Sequence, residues 1–156
     1  MPIYRVAAIQ MASGSNVNAN LHEATRLILE AVNMGAKLII LPENFALMAM
    51  HPTDSVKIRE QPGCGPLQDF LSQQAARYGV WIVGGTLPLI ADHPQKVRAA
   101  CLVFDDTGDC VARYDKMHLF DVTVTSDEHY CESETIESGT QVIVTDTPFG
   151  RLGLAV

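Results

Sequence analysis

"LHEATRLILEAVNMGAKLIILPENF", Leu21 to Phe45, contains the change of period from which the fold is read. Leu21, Ala24, Leu27, Ile28, Ala31 and Val32 recur at the spacing of one helix face, and Gly35 supplies a stop. Asn20 with Glu23 reads as a capping box at the start of that helix. "AKLIIL" follows directly, short, apolar and bounded, as a strand buried on both faces is. A helix that returns into a buried strand is half of the unit from which α/β sheets are built.

The flanking sequence extends that pattern. Residues 5 to 11 alternate or run apolar and predict a first strand, with a polar break from Ala12 to Asn20 before the helix. From Pro42 to Pro66 no period survives, which predicts a long loop with at most a helical turn, and long ordered loops are often functional. A second helix is predicted from Leu67 to about Tyr78, with Leu67, Phe70, Leu71 and Ala75 inward and Gly79 as its stop. "VWIVGGTLPL" predicts another buried strand. "VRAACLVFDDTGDCVARYDK" predicts a hairpin around Asp106-Thr107-Gly108-Asp109. A second hairpin joins "QVIVTDT" to "RLGLAV" through Pro148-Phe149-Gly150, and its last strand reads as buried. This order predicts an α/β fold, a layered sandwich with a mixed sheet and helices packed on it, free of internal repeats and linkers.

Composition narrows the function classes. At 156 residues and 47% hydrophobic, the chain has material for one domain with a real core. Eighteen acidic against eleven basic residues give a net charge of -7, with no Lys/Arg cluster to track a phosphate backbone, so nucleic acid is not an expected partner. The start "MPIYRVAAIQM" lacks the plan of a secretory signal, and no apolar run reaches membrane-spanning length. The expectation is a cytoplasmic protein without a membrane partner. Cys64, Cys101, Cys110 and Cys131 include no CxxC pair and read as reduced thiols.

Two segments carry residues suited to chemistry. Glu43 in "LPENF" lies just past a buried strand, where open α/β sheets place their ligands, although an isolated Glu there also serves as a cap or pairs with a surface cation. Lys116 in "ARYDKMHLFD" lies at a strand exit, and alone it reads as a solvated loop lysine. His118, Asp121, His129 and Cys131 crowd together in sequence, but the spacing is unusual for a closed zinc site. A Cys131 nucleophile with His129 or His118 as base is a further arrangement, and surface loop residues explain these positions more cheaply. Cys101 and Cys110 read as small core residues, Trp81 as core, and Met48, Met50 and Met117 as gap-filling packing more than pocket lining.

"LPENF", then "GPLQDFLSQQAARYGVWIVGGT", then "YDKMHLFD" together resemble, in order and spacing, the nitrilase superfamily of carbon-nitrogen hydrolases, especially its Nit-type amidase branch. The resemblance covers essentially the whole chain. It implies the nitrilase type of layered sandwich, of which residues 1–156 form the N-terminal portion of a single domain. It also implies a Cys-Glu-Lys triad, with Glu43 as general base, Lys116 as the lysine and Glu132 in "YCES" as a second glutamate. None of the four cysteines matches the nucleophile, which in the family follows a "GLAVC"-like strand, and here "RLGLAV" reaches Val156. The resemblance therefore implies an amidase of small carboxylate-bearing amides that needs no metal or organic cofactor. Its intact parent would be a homo-oligomer, and residues 1–156 would be inactive for want of the thiol. The alternative is a non-catalytic truncated or interaction protein that keeps the fold elements.

Overall fold

The change of period at Gly35 is a change of element in the computed structural model, which describes residues 3–125 and 128–156. Met1 and Pro2, at the head of the start segment, lie outside the described residues. Strand β1 (Val6–Ala8) leads into helix α1 (Val17–Asn33), and Gly35, at φ 83°, turns the chain into strand β2 (Leu38–Ile40). That left-handed conformation is open to glycine at no steric cost.

The helix starts earlier than the expected capping box at Asn20. Asn16 is the N-cap, and its side chain accepts a bond from the Ala19 amide at 3.1 Å. Asn20 is buried instead, accepting from the Gly14 amide at 2.9 Å and donating to the carbonyls of Gly14 and Ala46 at 2.7 and 2.9 Å. A buried amide needs partners, and this one finds them by tying the segment before α1 to the loop after β2.

The long loop holds the short helix α2 (Asp54–Lys57), and α3 (Pro66–Tyr78) follows, ended by Gly79 in the left-handed conformation. Glu60, also buried, accepts from the amides of Leu67 and Gln68, so a carboxylate meets the free N–H groups at the start of α3.

"VWIVGGTLPL" forms two strands, β3 (Trp81–Val83) and β4 (Leu87–Ile90), where one was expected. Both lie antiparallel to β5 (Val97–Phe104), β3 against its C-terminal end and β4 against its N-terminal half. Strand β6 (Cys110–Asp115) pairs with β5 across residues facing both, so β3 and β4 share the other edge and the break between them is a kink. The cause is Gly85, at φ 56°, where an added Cβ would stand 1.9 Å from the Pro42 carbonyl oxygen. β1, β2 and β3 run parallel and the rest antiparallel, which makes the sheet mixed.

Alternation along the strands sorts the core into two layers. Ile39, Ile82, Leu102 and Phe104 face α1 and α3, meeting Ala24, Ile28, Leu71 and Ala75. Leu38, Trp81, Val83, Cys101 and Val103 face the other way with Tyr114. The second face is covered by the hairpin of β9 (Ile143–Thr147) and β10 (Gly150–Leu154), reached through β7 (Asp121–Thr123), β8 (His129–Cys131) and a 3-10 turn at Glu132–Glu134. The β7–β8 pair was not foreseen. The final strand is also less buried than its apolar run suggests: Leu154 is buried, while Leu152 is only partly covered. Among the described residues, no helix is long and apolar enough to cross a membrane.

Candidate active site

Glu43 leaves the sheet two residues after the last ladder bond of β2, in which the Leu41 amide donates to the Val83 carbonyl at 2.9 Å. Lys116 leaves it directly after β6, its amide bonded to the Ala99 carbonyl at 3.0 Å. The two are 73 positions apart in sequence, and the Lys116 Nζ donates to Glu43 Oε1 at 2.9 Å. It also lies 2.9 Å from the Glu132 carboxylate, at the head of the 3-10 turn. The three sequence candidates therefore share one place. The lysine read as solvated when taken alone is buried.

Exposure grades across this cluster, from 9% for the Lys116 side chain through 23% for Glu132 to 42% for Glu43. An ammonium buried without a partner costs several kcal/mol, so the two carboxylates are what permit a charge at this depth. Burial works against protonated Lys116, but the bonds and charges of Glu43 and Glu132 outweigh it and raise its pKa above the ordinary lysine value. The lysine is therefore charged at neutral pH. Lysine carries three N–H donors, and two carboxylates engage it here, which leaves one donor for an incoming oxygen.

Glu132 does more than pair with the lysine. Its Oε2 accepts the Phe120 amide at 2.7 Å, so one carboxylate ties the strand exit carrying Lys116 to the start of β7. Sequence reasoning passed over the residues that hold Glu43. Asn44 has a φ of 56°, and its amide donates to the hydroxyl of buried Thr86 at 2.9 Å. The signals were present: Asn tolerates the left-handed conformation, and a Gly pair inside a strand pattern marks a break.

The remaining candidates lie elsewhere. Asp121 faces Cys131 and Thr123 faces His129 across the exposed β7–β8 pair. Asp121 accepts the Ser133 amide at 2.9 Å, which holds its carboxyl below the usual range, and the Cys131 sulfur lies 3.4 Å from the Ser133 hydroxyl. Among the described residues, no three His, Cys, Asp or Glu side chains gather as metal ligands. Cys101 is buried and its thiol is pushed up to about 12, whereas Cys110, expected in the core, is exposed. Met117 packs against the second core layer, but Met48 and Met50 are exposed and fill no gap.

The chain matches the carbon-nitrogen hydrolase family over residues 5–156. It is 41% identical over 154 residues to a deaminated glutathione amidase of Yersinia enterocolitica, covering 97% of this chain and 53% of that protein. To the omega-amidase NIT2-B of Xenopus laevis it is 30% identical over 156 residues, covering 100% of this chain and 55% of the relative. Among solved structures, Nit3 of Saccharomyces cerevisiae, a member of branch 10 of the nitrilase superfamily, superposes with a TM-score of 0.79 at 28% identity, covering 95% of this chain and 53% of Nit3. The chain spans about half the length of the curated relatives it matches.

Proposed function

The chain belongs to the carbon-nitrogen hydrolase family, in its Nit-type branch, and from that premise we propose that residues 1–156 are the N-terminal portion of one amidase domain in which Glu43, Lys116 and Glu132 serve a thiol nucleophile. The observation that carries this reading is the buried Lys116 ammonium, 2.9 Å from both carboxylates. A structural ion pair requires one carboxylate. Two of them, one half-exposed at the rim of a sheet, suit a site where protons are moved.

A thiol with a pKa near 8.5 is mostly protonated at neutral pH, so Glu43 takes its proton as the sulfur attacks the amide carbon. The tetrahedral intermediate carries its negative charge on the former carbonyl oxygen, where the free N–H of Lys116 stabilises it by about 3 to 4 kcal/mol. Collapse breaks the C–N bond, and Glu43 returns the proton to the departing ammonia. The same carboxylate then takes a proton from the water that cleaves the thioester, releasing a carboxylic acid and the thiol. Glu132 keeps the lysine aimed throughout.

The relatives' names, deaminated glutathione amidase and omega-amidase, support a small amide substrate that also bears a free carboxylate. The proposed setting is a cytoplasmic homo-oligomer. The proposed nucleophile occupies the position after Val156. None of the four cysteines within these residues matches it, so residues 1–156 alone are proposed to be inactive.

The coding DNA after the Val156 codon tests this reading. A cysteine codon followed by the rest of a hydrolase is expected, and an unrelated continuation overturns the reading in favour of a non-catalytic protein. Ammonia release from small amides by residues 1–156 alone, at an enzyme-like rate, would equally contradict the assigned nucleophile.

A further inference from the structure

The segment that carries Glu43 is held by contacts independent of the charge cluster. On one side of Glu43, the Pro42 carbonyl rests so closely against Gly85 that no side chain fits there. On the other side, Asn44 adopts a positive φ, unique among the non-glycine residues described, and gives its amide to Thr86 Oγ1 at 2.9 Å. Thr86 is buried, and its hydroxyl also lies 3.5 Å from the Asn44 side-chain oxygen. Gly85 and Thr86 both come from the kink between β3 and β4, so a break in one strand grips the chain leaving its neighbour.

We propose that Thr86 is a positioning residue for Glu43, its hydroxyl holding the Asn44 amide so that the Glu43 carboxylate points at Lys116. The inference rests on the reading of Glu43 as the base. A half-exposed carboxylate on a loop has solvent-facing rotamers open to it, and one bond to the buried Lys116 does not by itself fix the backbone from which Glu43 projects. Direction therefore comes from the backbone. Glu43 is bracketed by two pinned neighbours and followed by Phe45 and Ala46, both buried. A hydroxyl is needed because the Asn44 amide is part-buried against Thr86, where a methyl group would leave it without this acceptor.

Competitive acetylation of the lysines, read peptide by peptide by mass spectrometry near pH 9, tests the proposal, with Lys37, Lys57 and Lys96 as internal references. The reaction consumes free, accessible amine, so Lys116, buried and paired with Glu43 and Glu132, labels slowly, and losing the Glu43 partner speeds it. Thr86→Val is expected to raise Lys116 labelling by about threefold or more, the ratio for half a pKa unit. Thr86→Ser is expected to restore the slow rate, and circular dichroism should show both variants folded. Should Val not fold, Thr86→Ala removes the hydroxyl without adding an atom and gives the same readout. Glu43→Gln is the control. If it accelerates labelling and the hydroxyl-free variants do not, the positioning role of Thr86 is overturned and the ion pair stands. If Glu43→Gln also leaves Lys116 slow, the Glu43–Lys116 coupling itself fails.

Discussion

At the scale of single residues, the site turns on a lysine whose charge is favoured by folding. The folded-state pKa of Lys116 is raised, so its contribution to stability is fully present below the unfolded lysine value of about 10.4 and is lost as pH rises through the folded value. Urea unfolding of the protein and of Lys116→Met, compared from about pH 8 to about pH 11, should show a stability gap that narrows with rising pH. A gap that widens would contradict the ion pair. Neither Glu43 nor Lys116 was legible alone, because a glutamate past a strand and a lysine on a loop have ordinary explanations. Only the resemblance of the motifs around them to the carbon-nitrogen hydrolases made them a pair. Asn44 and the Gly pair before Thr86 were signals of a turn and a break, but the contact between them was not legible, because a hydroxyl that accepts one amide leaves no periodic trace in sequence.

At the scale of elements, period and punctuation located α1, β2, α3 and both predicted hairpins, since each is bounded by a residue with a specific backbone role, such as Gly35, Gly79, Gly108 and Gly150. The errors fall where tertiary contacts overrule local pattern. Asn20 suits a cap by position but serves as a buried clamp, and Asn16 caps α1. This exchange predicts unequal costs. Asn16→Ala should lose about 1 kcal/mol, as an exposed cap does. Asn20→Ala strands the Ala46 carbonyl in the interior, takes the acceptor from the part-buried Gly14 amide and should cost about 2 to 3 kcal/mol. Denaturant midpoints that rank the two the other way would contradict the buried clamp at Asn20. The kink in "VWIVGGTLPL" was missed for a similar reason: apolar residues on both sides of Gly84-Gly85-Thr86 read as one strand, and the approach of the Pro42 carbonyl to Gly85 is what makes the Gly pair a break. The β7–β8 pair escaped because all six of its strand residues are exposed and alternate against no core.

At the scale of the whole molecule, the α/β class and its layering followed from the order of helices and buried strands, but the lower burial of the last hairpin did not. Among the described residues β9 and β10 ladder only with each other, and they cover the second face through Ile143, Phe149, Leu152 and Leu154 while Val142 and Val144 face solvent. Hydrogen exchange should therefore show amides of residues 143–154 opening well before those of Ile82 and Leu102 at the sheet centre, whereas equal protection would mean the hairpin is part of the cooperative core. The same architecture brings two strand exits from distant parts of the chain to one rim, and the proposed chemistry depends on that meeting. The most direct measurement is ammonia release from a small carboxylate-bearing amide by the protein carried through the cysteine expected after Val156 and the remainder of the fold. The account predicts turnover, with Glu43→Gln and Lys116→Met each losing on the order of a hundredfold or more in kcat/KM while remaining folded. Turnover undiminished in either variant would contradict it.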